Sequence, residues 1–470
     1  MTPTVKNESR PTHDTIAAMD TQFSAAGFLQ RRLRRSALSG GWRIAVAVSA
    51  WGKRLFDIIL AAAVLTVLLP LFIAVALVLT LSRRPVFTSD LKVGRWSVPF
   101  RHLEFNTDNV CGALLLRLRL HRLPVFINVL RGEMSFIGPR AMRFEEVNVR
   151  QRAARKRSGV RPGLLSLWWL RKKANIHFGS ELDVDLEYID RQTVSGDLGI
   201  ALRALPSILY GPSSAGQPAQ VDVLGIPVDN LNMEEALQYI LHAAHGDVPQ
   251  QLCFVNTDCV NKSINDREYR DILRRSDLIL ADGIGIRLAG KITSREIRQN
   301  VNGTDLFPLL CQRLKGSDLG LFLLGARPEV VEDFSNWIKK THPGVPIRGC
   351  RDGYFDPSQE EALLGEIRDS GARILLVAFG SPLQDRWIAK HLSGLGSVRV
   401  AMGVGGLFDF YSGRIPRAPQ WMRELSLEWA YRLYQEPARM WRRYLVGNVV
   451  FLTRVILSVV FRRTSKTSSV

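Results

Sequence analysis

The octapeptide LILADGIG, residues 278–285, joins four apolar residues to an acidic turn and a second glycine. An apolar run of this length that stops at Asp-Gly predicts a buried strand followed by a tight turn. Apolar runs followed by Gly, Asn or Asp recur at Leu252–Val255, Leu321–Leu324, Ile374–Phe379 and Val398–Met402. We therefore predict five strands of one sheet, with polar loops at their ends.

Amphipathic stretches separate these strands, and Pro328–Lys340 and Gln359–Asp369 are typical of helices. The alternation predicts an α/β fold, a Rossmann-like parallel sheet with helices on both faces. Upstream, VDVLGIPVDNLNMEEALQYIL (residues 221–241) predicts a strand, a turn, a second strand and a helix. Ligands of such folds bind beyond the carboxyl ends of the strands, so the loops there predict a nucleotide site. One loop, Gly325–Glu329, opens a helix whose N-terminus suits a phosphate.

The chain of 470 residues has a net charge of +19, with bases concentrated near both ends. No acid occurs between Asp20 and Asp57 or after Glu436, and both stretches mix bases with aromatic residues. This mixture predicts contact with an anionic membrane, with a solvated basic face as the alternative. No zinc-finger spacing or RNP-type motif is present, so nucleic acid is not expected as a partner.

Residues 58–81 form an uncharged apolar stretch that is long enough to cross a bilayer. Basic pairs flank it on both sides, so the positive-inside rule gives no orientation. Pro70 removes a backbone hydrogen bond near the middle and predicts a kink. A straight span and a bent helix that returns to the same membrane face are both compatible with these residues.

Five cysteines without a CxxC pair predict a reduced, cytosolic setting. The N-terminus is polar and contains acids, which is not the pattern of a signal peptide.

Several motifs of residues 53–211 resemble one family: KRLFD before the Pro-broken helix, KVGRWSVPF, LPVFINVLRGEMSFIGPR and VRPG. The resemblance is to the bacterial sugar transferases, monotopic phosphoglycosyl transferases that move a sugar phosphate from a UDP-sugar to undecaprenyl phosphate. It implies a membrane-inserted α+β domain, and it favours the re-entrant form of the apolar helix.

The reacting residues of that family differ in this chain. The family carries Asp-Glu before the Leu-Pro step, where the Asp is the nucleophile and works with magnesium; His121 and Arg122 stand here. A guanidinium stays protonated and cannot attack phosphorus, and the pair is a poor ligand set for a hard cation. A phosphohistidine at His121 remains an alternative. Because frame residues such as Arg140 are retained, we expect a fold without its chemistry, which anchors the chain and holds a polyprenyl phosphate.

The uncharged stretch YGPSSAGQPAQ, residues 210–220, predicts a linker. We therefore expect a basic, partly disordered arm at residues 1–52 and the degenerate transferase-like domain at residues 53–213. The linker follows at residues 214–220, the α/β domain at residues 221–425, and a basic, membrane-associating appendage at residues 426–470.

The second domain ends with GVGGLFDFYSGRIPRAPQWM (residues 403–422) and LEWAYRLYQEPARMWRRYL (residues 427–445). With these motifs, residues 221–461 resemble the WecG/TagA/CpsF glycosyltransferases, glycosyltransferase family 26. The family moves a sugar from a UDP-sugar to a sugar carried on undecaprenyl diphosphate and inverts the anomeric centre.

The resemblance implies roles for individual residues. Asp282 matches the base that deprotonates the acceptor hydroxyl, with a turn cap as the alternative. Asn256 matches a residue that orients substrate, although Phe254 replaces a Thr of some members. Gln384 matches a sugar or uracil contact. Thr304 and Asp305 match a further family segment, with a helix cap as the alternative.

The departing diphosphate needs positive charge. No Asp-x-Asp spacing occurs from Val221 onward, so we expect no metal and no other cofactor in this domain. Arginines then have to bind the phosphate oxygens, and the family places such arginines where Arg432, Arg439, Arg442 and Arg443 stand. The alternative for each is a base at the membrane surface.

The leading interpretation is an inverting glycosyltransferase on the cytoplasmic face of a bacterial inner membrane. Its substrates are a UDP-sugar of the N-acetylmannosamine, mannosaminuronic acid or glucose type and an undecaprenyl-diphosphate-linked sugar. The alternatives are a bifunctional enzyme that also starts the glycan, and a non-catalytic subunit of a polysaccharide assembly. A homo-oligomer and other polysaccharide-assembly proteins are further partners that the sequence leaves open.

Overall fold

The computed structural model describes residues 51–108, 112–117, 120–146, 152–174, 180–210 and 218–467. The arm predicted at residues 1–52 lies outside them, except for Trp51 and Gly52. Residues 214–217 of the predicted linker lie outside them as well.

The chain divides into two compact units, residues 1–164 with 186–199 and residues 165–185 with 200–470. This division differs from the boundary predicted at residues 214–220, since two earlier segments cluster with the second unit. The physical reason is a buried set of ion pairs, in which Arg171 and Arg203 both contact Glu424. Glu424 is only 2% exposed, so its two partners belong to the same packed body.

The first unit opens with two apolar helices, α1 (Trp51–Val67) and α2 (Leu69–Leu81), and the chain bends by 64° between them. Pro70 lies in the first turn of α2, where a missing N–H costs little. Backbone bonds from Leu68 to Val64 and from Phe72 to Leu68 carry the ladder across the break. The predicted kink is confirmed, and the bent pair has the form of a broken span or a re-entrant loop.

The next elements extend to residue 210, and residues 165–185 and 200–210 among them belong to the second unit. They are β1 (Phe87–Val93), β2 (Pro99–Phe105), α3 (Gly112–Arg117), α4 (Val125–Arg131), β3 (Ser135–Ile137), β4 (Met142–Arg143), α5 (Arg152–Ser158), β5 (Gly163–Leu165), α6 (Leu167–Ala174), α7 (Glu181–Asp190) and α8 (Val194–Tyr210). Strands β2, β1 and β4 form an antiparallel sheet, and β3 pairs with β5.

Polar residues of the KRLFD motif hold α1 within the first unit. Lys53 donates to the carbonyl oxygen of Ile137 at 2.9 Å. Arg54 donates to two carbonyl oxygens at the end of α4, at 2.7 and 2.9 Å. The buried Asp57 accepts from the backbone N–H of Phe136 at 3.0 Å. Lys53, Arg54 and Asp57 therefore have a structural role that would remain in a domain without catalytic activity.

The second unit is built on one large sheet. Its strands are β6 (Gln220–Val223), β7 (Ile226–Asp229), β8 (Gln250–Val255), β9 (Leu278–Ala281), β10 (Leu321–Gly325), β11 (Ile347–Arg351), β12 (Ile374–Ala378) and β13 (Val400–Gly403). The strand order is β11-β10-β12-β13-β8-β9-β7-β6, and only the β6–β7 hairpin is antiparallel.

Helices connect these strands. They are α9 (Met233–His245), α10 (Thr257–Asn265), α11 (Arg267–Arg275), α12 (Ile284–Ile292), α13 (Gly303–Leu314), α14 (Pro328–Thr341), α15 (Glu360–Asp369), α16 (Leu383–His391), α17 (Leu407–Tyr411), α18 (Gln420–Glu424), α19 (Glu428–Gln435), α20 (Pro437–Trp441) and α21 (Gly447–Thr467). A π-helical turn, Arg442–Val446, joins α20 to α21.

Successive strand residues point into separate cores on the two faces of this sheet. In β10, Leu321 and Leu323 join one hydrophobic cluster, while Phe322 and Leu324 join another. Strands buried on both faces are continuously apolar, which is why short apolar runs predicted them. The five predicted strands are all present, with bounds within two residues. Strand β11 was missed because its sequence, IRGCR, contains two arginines and is not fully buried.

Helix α21 is part of the second unit's core. Phe451 is 0% exposed, and it packs with Val455 in the cluster that contains Val221 and Val223 of β6. The boundary predicted between residues 425 and 426 therefore does not separate two bodies. The opposite face of α21 is apolar and exposed, and Phe461 is 66% exposed. Among the described residues, Pro437–Phe461 is the one continuous helix long and apolar enough to cross a membrane.

Candidate active site

The loops after β8, β9, β10, β12 and β13 meet at one edge of the large sheet and line a cavity of about 1320 Å³. Residues of α19, α20 and the π-helical turn form much of the remaining wall. The cavity lies where the parallel topology predicts a ligand site, since the carboxyl ends of parallel strands share an edge.

Asp282 and Asn256 meet at this edge. Asp282 follows β9, and its Oδ2 accepts a hydrogen bond of 3.4 Å from Asn256 Nδ2. Asn256 follows β8 and is the N-cap of α10, where its Oδ1 accepts from the backbone N–H groups of Asp258 and Cys259. Because the oxygen of the amide is held by the N-terminus of α10, its NH2 group is the end that faces Asp282. The side chain of Asn256 thus connects the first turn of α10 to the candidate base.

Asp282 does not cap the turn that follows it. Gly283 adopts φ 92°, a conformation that favours glycine, and α12 begins there without a side-chain cap. The N–H of Gly283 donates instead to Asn300 Oδ1, at 2.5 Å. Among the described residues, Asn256 alone forms a hydrogen bond with the side chain of Asp282. This geometry supports the base rather than the turn-cap interpretation.

The surroundings of Asp282 raise the pKa of its carboxyl group above the ordinary value. Burial is the largest cause, because it penalises the charged form. The hydrogen bond from Asn256 and the charges of Arg443 and Arg432 act in the opposite direction. A carboxylate with a raised pKa is a stronger base, which suits proton removal from a hydroxyl.

Arg432 lies beside Asp282 in the cavity wall. Its guanidinium stacks over the ring of Phe410, 4.7 Å from the ring centre, and one nitrogen lies close to Gly406. Its Nε is buried without a hydrogen-bond partner in the described part of the chain. A stacked guanidinium that lacks an acidic partner is a suitable ligand for a phosphate group.

The other three predicted arginines differ in position. Arg443 lines the cavity from the π-helical turn, and its Nε lies 3.6 Å from Asp258. Arg439 pairs with Glu436 at 3.2 Å, and its side chain is mostly exposed. Arg442 is exposed and stacks over Trp441. Arg432 and Arg443 therefore lie deepest, while Arg439 and Arg442 lie at the mouth.

Gln384 lies in the cavity lining but is only 3% exposed. Its Oε1 accepts from the backbone N–H groups of Gly380 and Gly405, at 3.1 and 2.9 Å, and so joins the loops after β12 and β13. A Cβ at Gly403 would lie 2.6 Å from Gln384 Nε2, so only glycine leaves room for this amide. This geometry favours a positioning role over the predicted sugar or uracil contact.

Thr304 and Asp305 begin α13. Thr304 lines the cavity. Asp305 is buried, bonds to the N-cap residue Asn302, and contacts Arg417 at 2.5 Å. Arg417 also contacts Glu428, at 3.3 Å. The carboxylate of Asp305 thus has a structural partner, and Thr304 is the better candidate for a substrate contact.

The cavity lining is rich in bases. It contains Lys262 and six arginines, against the acids Asp258, Asp282, Asp409 and Glu436. Within the described residues, no group of three or more His, Cys, Asp or Glu side chains could hold a metal ion. The donor set therefore fits an anionic ligand better than a hard cation.

Four further residues lie at the site and were not among the predicted ones. Arg327 and Arg414 line the large cavity. Arg423 and Glu428 line a smaller cavity that also reaches Asp282. The loop Gly325–Glu329 was recognised as a phosphate loop, so its arginine could have been named. The sequence carried no signal for Arg423 and Glu428, because only the fold brings α18 and α19 to Asp282.

The former reaction centre of the first unit lies on a short helical turn before α4. His121 is half-buried, and its Nδ1 lies 3.3 Å from the carbonyl oxygen of Leu115, while Arg122 is exposed. The pKa of nearby His102 is lowered to about 4, first by burial and then by the charges of Lys92 and Arg122. Positive charge thus accumulates where the resembling family uses carboxylates.

Arg140, a further residue of the predicted former site, forms an ion pair of 3.0 Å with Glu146, and its backbone pairs with Gly163.

Comparison with known proteins gives two family matches. The model of the glycosyl transferase WecG/TagA/CpsF family matches residues 221–465, and that of the bacterial sugar transferases matches residues 48–211. The N-acetylglucosaminyldiphosphoundecaprenol N-acetyl-beta-D-mannosaminyltransferase of Bacillus subtilis (strain 168) is 33% identical over 222 residues, 47% of this chain and 85% of that protein. The protein with the same name in Bacillus spizizenii (strain ATCC 23059 / NRRL B-14472 / W23) is 35% identical over 184 residues, 39% of this chain and 70% of that protein.

Proposed function

This chain belongs to the WecG/TagA/CpsF family of glycosyltransferases, and we propose that it transfers a sugar from a UDP-sugar to a sugar carried on undecaprenyl diphosphate. The single observation that carries the proposal is the position of Asp282. Its carboxylate accepts one hydrogen bond from the part of the chain that the structure describes, lies at the carboxyl edge of a parallel sheet, and faces a cavity lined by arginines.

The reaction follows from these positions. The carboxylate of Asp282 removes the proton from an acceptor hydroxyl while that oxygen bonds to the anomeric carbon of the donor sugar. The bond from this carbon to the diphosphate oxygen breaks, and UDP leaves with the bonding electrons. Attack from the side opposite to UDP inverts the anomeric centre. Asn256 keeps the carboxylate oriented for the hydroxyl.

The departing UDP gains negative charge, which the arginines can stabilise. Arg432 is the best placed, because its guanidinium has no acidic partner among the described residues and its orientation is fixed by Phe410. Arg443 lies beside it in the cavity wall. We expect no metal to be required, since fixed guanidinium groups offer paired N–H donors to phosphate oxygens.

The donor sugar is proposed to be of the N-acetylmannosamine type. The names of the two Bacillus relatives support this choice over the uronic acid and glucose alternatives.

We further propose that the chain works at the cytoplasmic face of a bacterial inner membrane. The bent apolar pair α1–α2 and the exposed apolar face of Pro437–Phe461 support membrane contact, and the basic residues near both suit an anionic leaflet.

The first unit is proposed to lack sugar-phosphate transfer, and to anchor the chain. Arg122 and its basic surroundings cannot supply the carboxylate nucleophile of the family it resembles. A bifunctional enzyme acting through His121 is the alternative that needs a direct test.

The test uses the full chain in liposomes with radiolabelled UDP-sugars and two acceptors, undecaprenyl phosphate and an undecaprenyl-diphosphate sugar. We expect label on the second acceptor only, loss of transfer in Asp282→Asn, and no change in His121→Ala. Label on undecaprenyl phosphate that disappears in His121→Ala would establish the bifunctional alternative. Transfer that persists in Asp282→Asn would exclude Asp282 as the base.

A further inference from the structure

A second, smaller cavity of about 180 Å³ reaches Asp282. We call it the side chamber. It shares Asp282, Arg432 and Arg443 with the large cavity. Its own walls come from the loop after β9, the start of α12, α18, α19, Tyr444 and Asn448. The large cavity instead extends over β13, β12 and β10. Helix α12 packs through Ile286 and Ala289 against β6, which lies on the other side of β9 from these three strands, so the two cavities flank the candidate base.

The side chamber combines a buried donor that has no hydrogen-bond partner within the described residues with a partly exposed carboxylate. The Nε of Arg423 is buried without a hydrogen-bond partner. Glu428 contacts Arg417 through one carboxylate oxygen, at 3.3 Å, and its side chain is 32% exposed. A buried N–H such as that of Arg423 is costly unless a ligand or water accepts from it. Together they offer a donor and an acceptor to a polar ligand.

An aromatic wall completes the chamber. Trp429 and Tyr444 both line it, with ring centres 6.1 Å apart and planes tilted by 56°. Large flat rings beside hydrogen-bonding groups suit a ligand with an apolar face and polar edges. A sugar ring has this character, and the chamber is too small for a nucleotide.

Inversion places the two substrates on opposite sides of the anomeric carbon. The base must lie on the acceptor's side, and the arginines that stabilise UDP must lie on the donor's side. The large cavity holds Lys262, Arg327 and Arg414, which the side chamber lacks, so the UDP-sugar belongs in the large cavity. The acceptor hydroxyl then approaches Asp282 from the side chamber. This assignment rests on the proposed function.

We infer that the side chamber is the subsite for the acceptor's sugar ring, with Arg423 and Glu428 bonding its polar groups and Trp429 packing on its face. The lipid diphosphate leaves the chamber past Tyr444 and Asn448. Those two residues belong to the segment whose neighbours Leu445, Val446 and Val449 are exposed and apolar. A lipid-linked sugar can therefore enter with its chain along that face.

The test compares substitutions in the two cavities in the full chain, with a UDP-sugar and an undecaprenyl-diphosphate sugar in liposomes. Arg423→Met and Trp429→Leu change only the side chamber, and Arg327→Met, the matched control, changes only the large cavity. We expect the first two to raise the acceptor KM by about tenfold or more while the donor KM stays within about threefold. Arg327→Met should give the reverse pattern.

UDP binding and thermal unfolding of each variant identify a folding defect. Wild-type-like UDP affinity in Trp429→Leu keeps the test valid if Arg423→Met unfolds. An unchanged acceptor KM in a folded side-chamber variant, or an equal rise in both KM values, would overturn the inference while leaving the proposed function intact. Absence of transfer by the wild-type chain would remove the proposed function, and the inference with it.

Discussion

Within residues 218–467, where the site lies, Asp282 has one side-chain hydrogen bond, from Asn256, and its carboxylate remains available to accept a proton. We predict that Asp282→Asn lowers kcat by roughly 100- to 10,000-fold, the contribution of a positioned general base. UDP affinity should stay within about threefold, because the arginines remain. Steady-state kinetics with isothermal titration of UDP distinguishes this result from a general loss of the site.

The pH dependence of the reaction should show the raised pKa of Asp282. A base works only when deprotonated, so kcat/KM falls as the pH drops through this pKa. Because burial raises the pKa, the fall begins above the ordinary value for Asp of about 3.9. Asn256→Ser keeps a helix N-cap but removes the amide donor that opposes this shift. The acid limb of the pH profile should therefore move to higher pH in Asn256→Ser; an unmoved or lowered limb would contradict the assignment.

At the level of residues, the structure brings together predicted site residues that directly follow strands. Asp282 and Asn256 directly follow apolar strands, so their meeting could be predicted from parallel topology. Gln384 lines the cavity, but its burial between two glycine-containing loops could not be predicted from the sequence. Arg423 and Glu428 follow no strand, and only tertiary packing brings them to the site.

At the level of elements, helix α21 has two faces with different tasks. Phe451 fills the core, and Phe461 is exposed on the apolar side. Phe451→Ala should lower the free energy of unfolding by about 3–5 kcal/mol, because it leaves a cavity in a packed cluster. Phe461→Ala is the matched control. We expect it to leave thermal stability unchanged and to weaken binding to anionic liposomes in a flotation assay. A loss of stability in Phe461→Ala, or weaker liposome binding in a stable Phe451→Ala variant, would contradict this division of the helix into a core face and a membrane face.

Elements buried on both sides were the most predictable. The inner strands of the large sheet can be recognised in the sequence as apolar runs. The edge strand β11 contains charged residues and was not predicted. The tail was predicted to be an appendage because its composition is basic and apolar. Composition does not distinguish a surface helix from one that contributes a single buried stripe, and α21 contributes Phe451 and Val455.

At the scale of the whole molecule, a buried carboxylate joins segments that the linker separates in sequence. Glu424 contacts both Arg171 and Arg203 inside the second unit. Glu424→Gln removes a buried negative charge from beside two arginines, so we predict a loss of about 3–5 kcal/mol of stability. Glu436→Gln, which breaks the exposed pair with Arg439, is the control and should change stability by less than about 1 kcal/mol. Chemical denaturation of both variants measures this difference.

The domain order could be predicted from the sequence, but the division into packed units could not. The linker is recognised because it is uncharged and rich in small residues. This composition does not indicate which segments on its two sides pack together. The ion pairs of Glu424 span more of the sequence than any local pattern covers.

The position of α21 has a consequence for the order of events during protein synthesis. Its residues are translated after everything else that the structure describes, yet they cover Val221 and Val223 of the sheet. While the ribosome is still upstream of residue 447, this side of the sheet lacks its cover. Domains generally fold from the N-terminus as they emerge, so the first unit can form while the second is incomplete. With the anchoring role proposed for the first unit and the activity proposed for the second, a nascent chain would reach the membrane before it could transfer sugar. A stop codon shortly before Gly447 would then yield an anchored protein without activity.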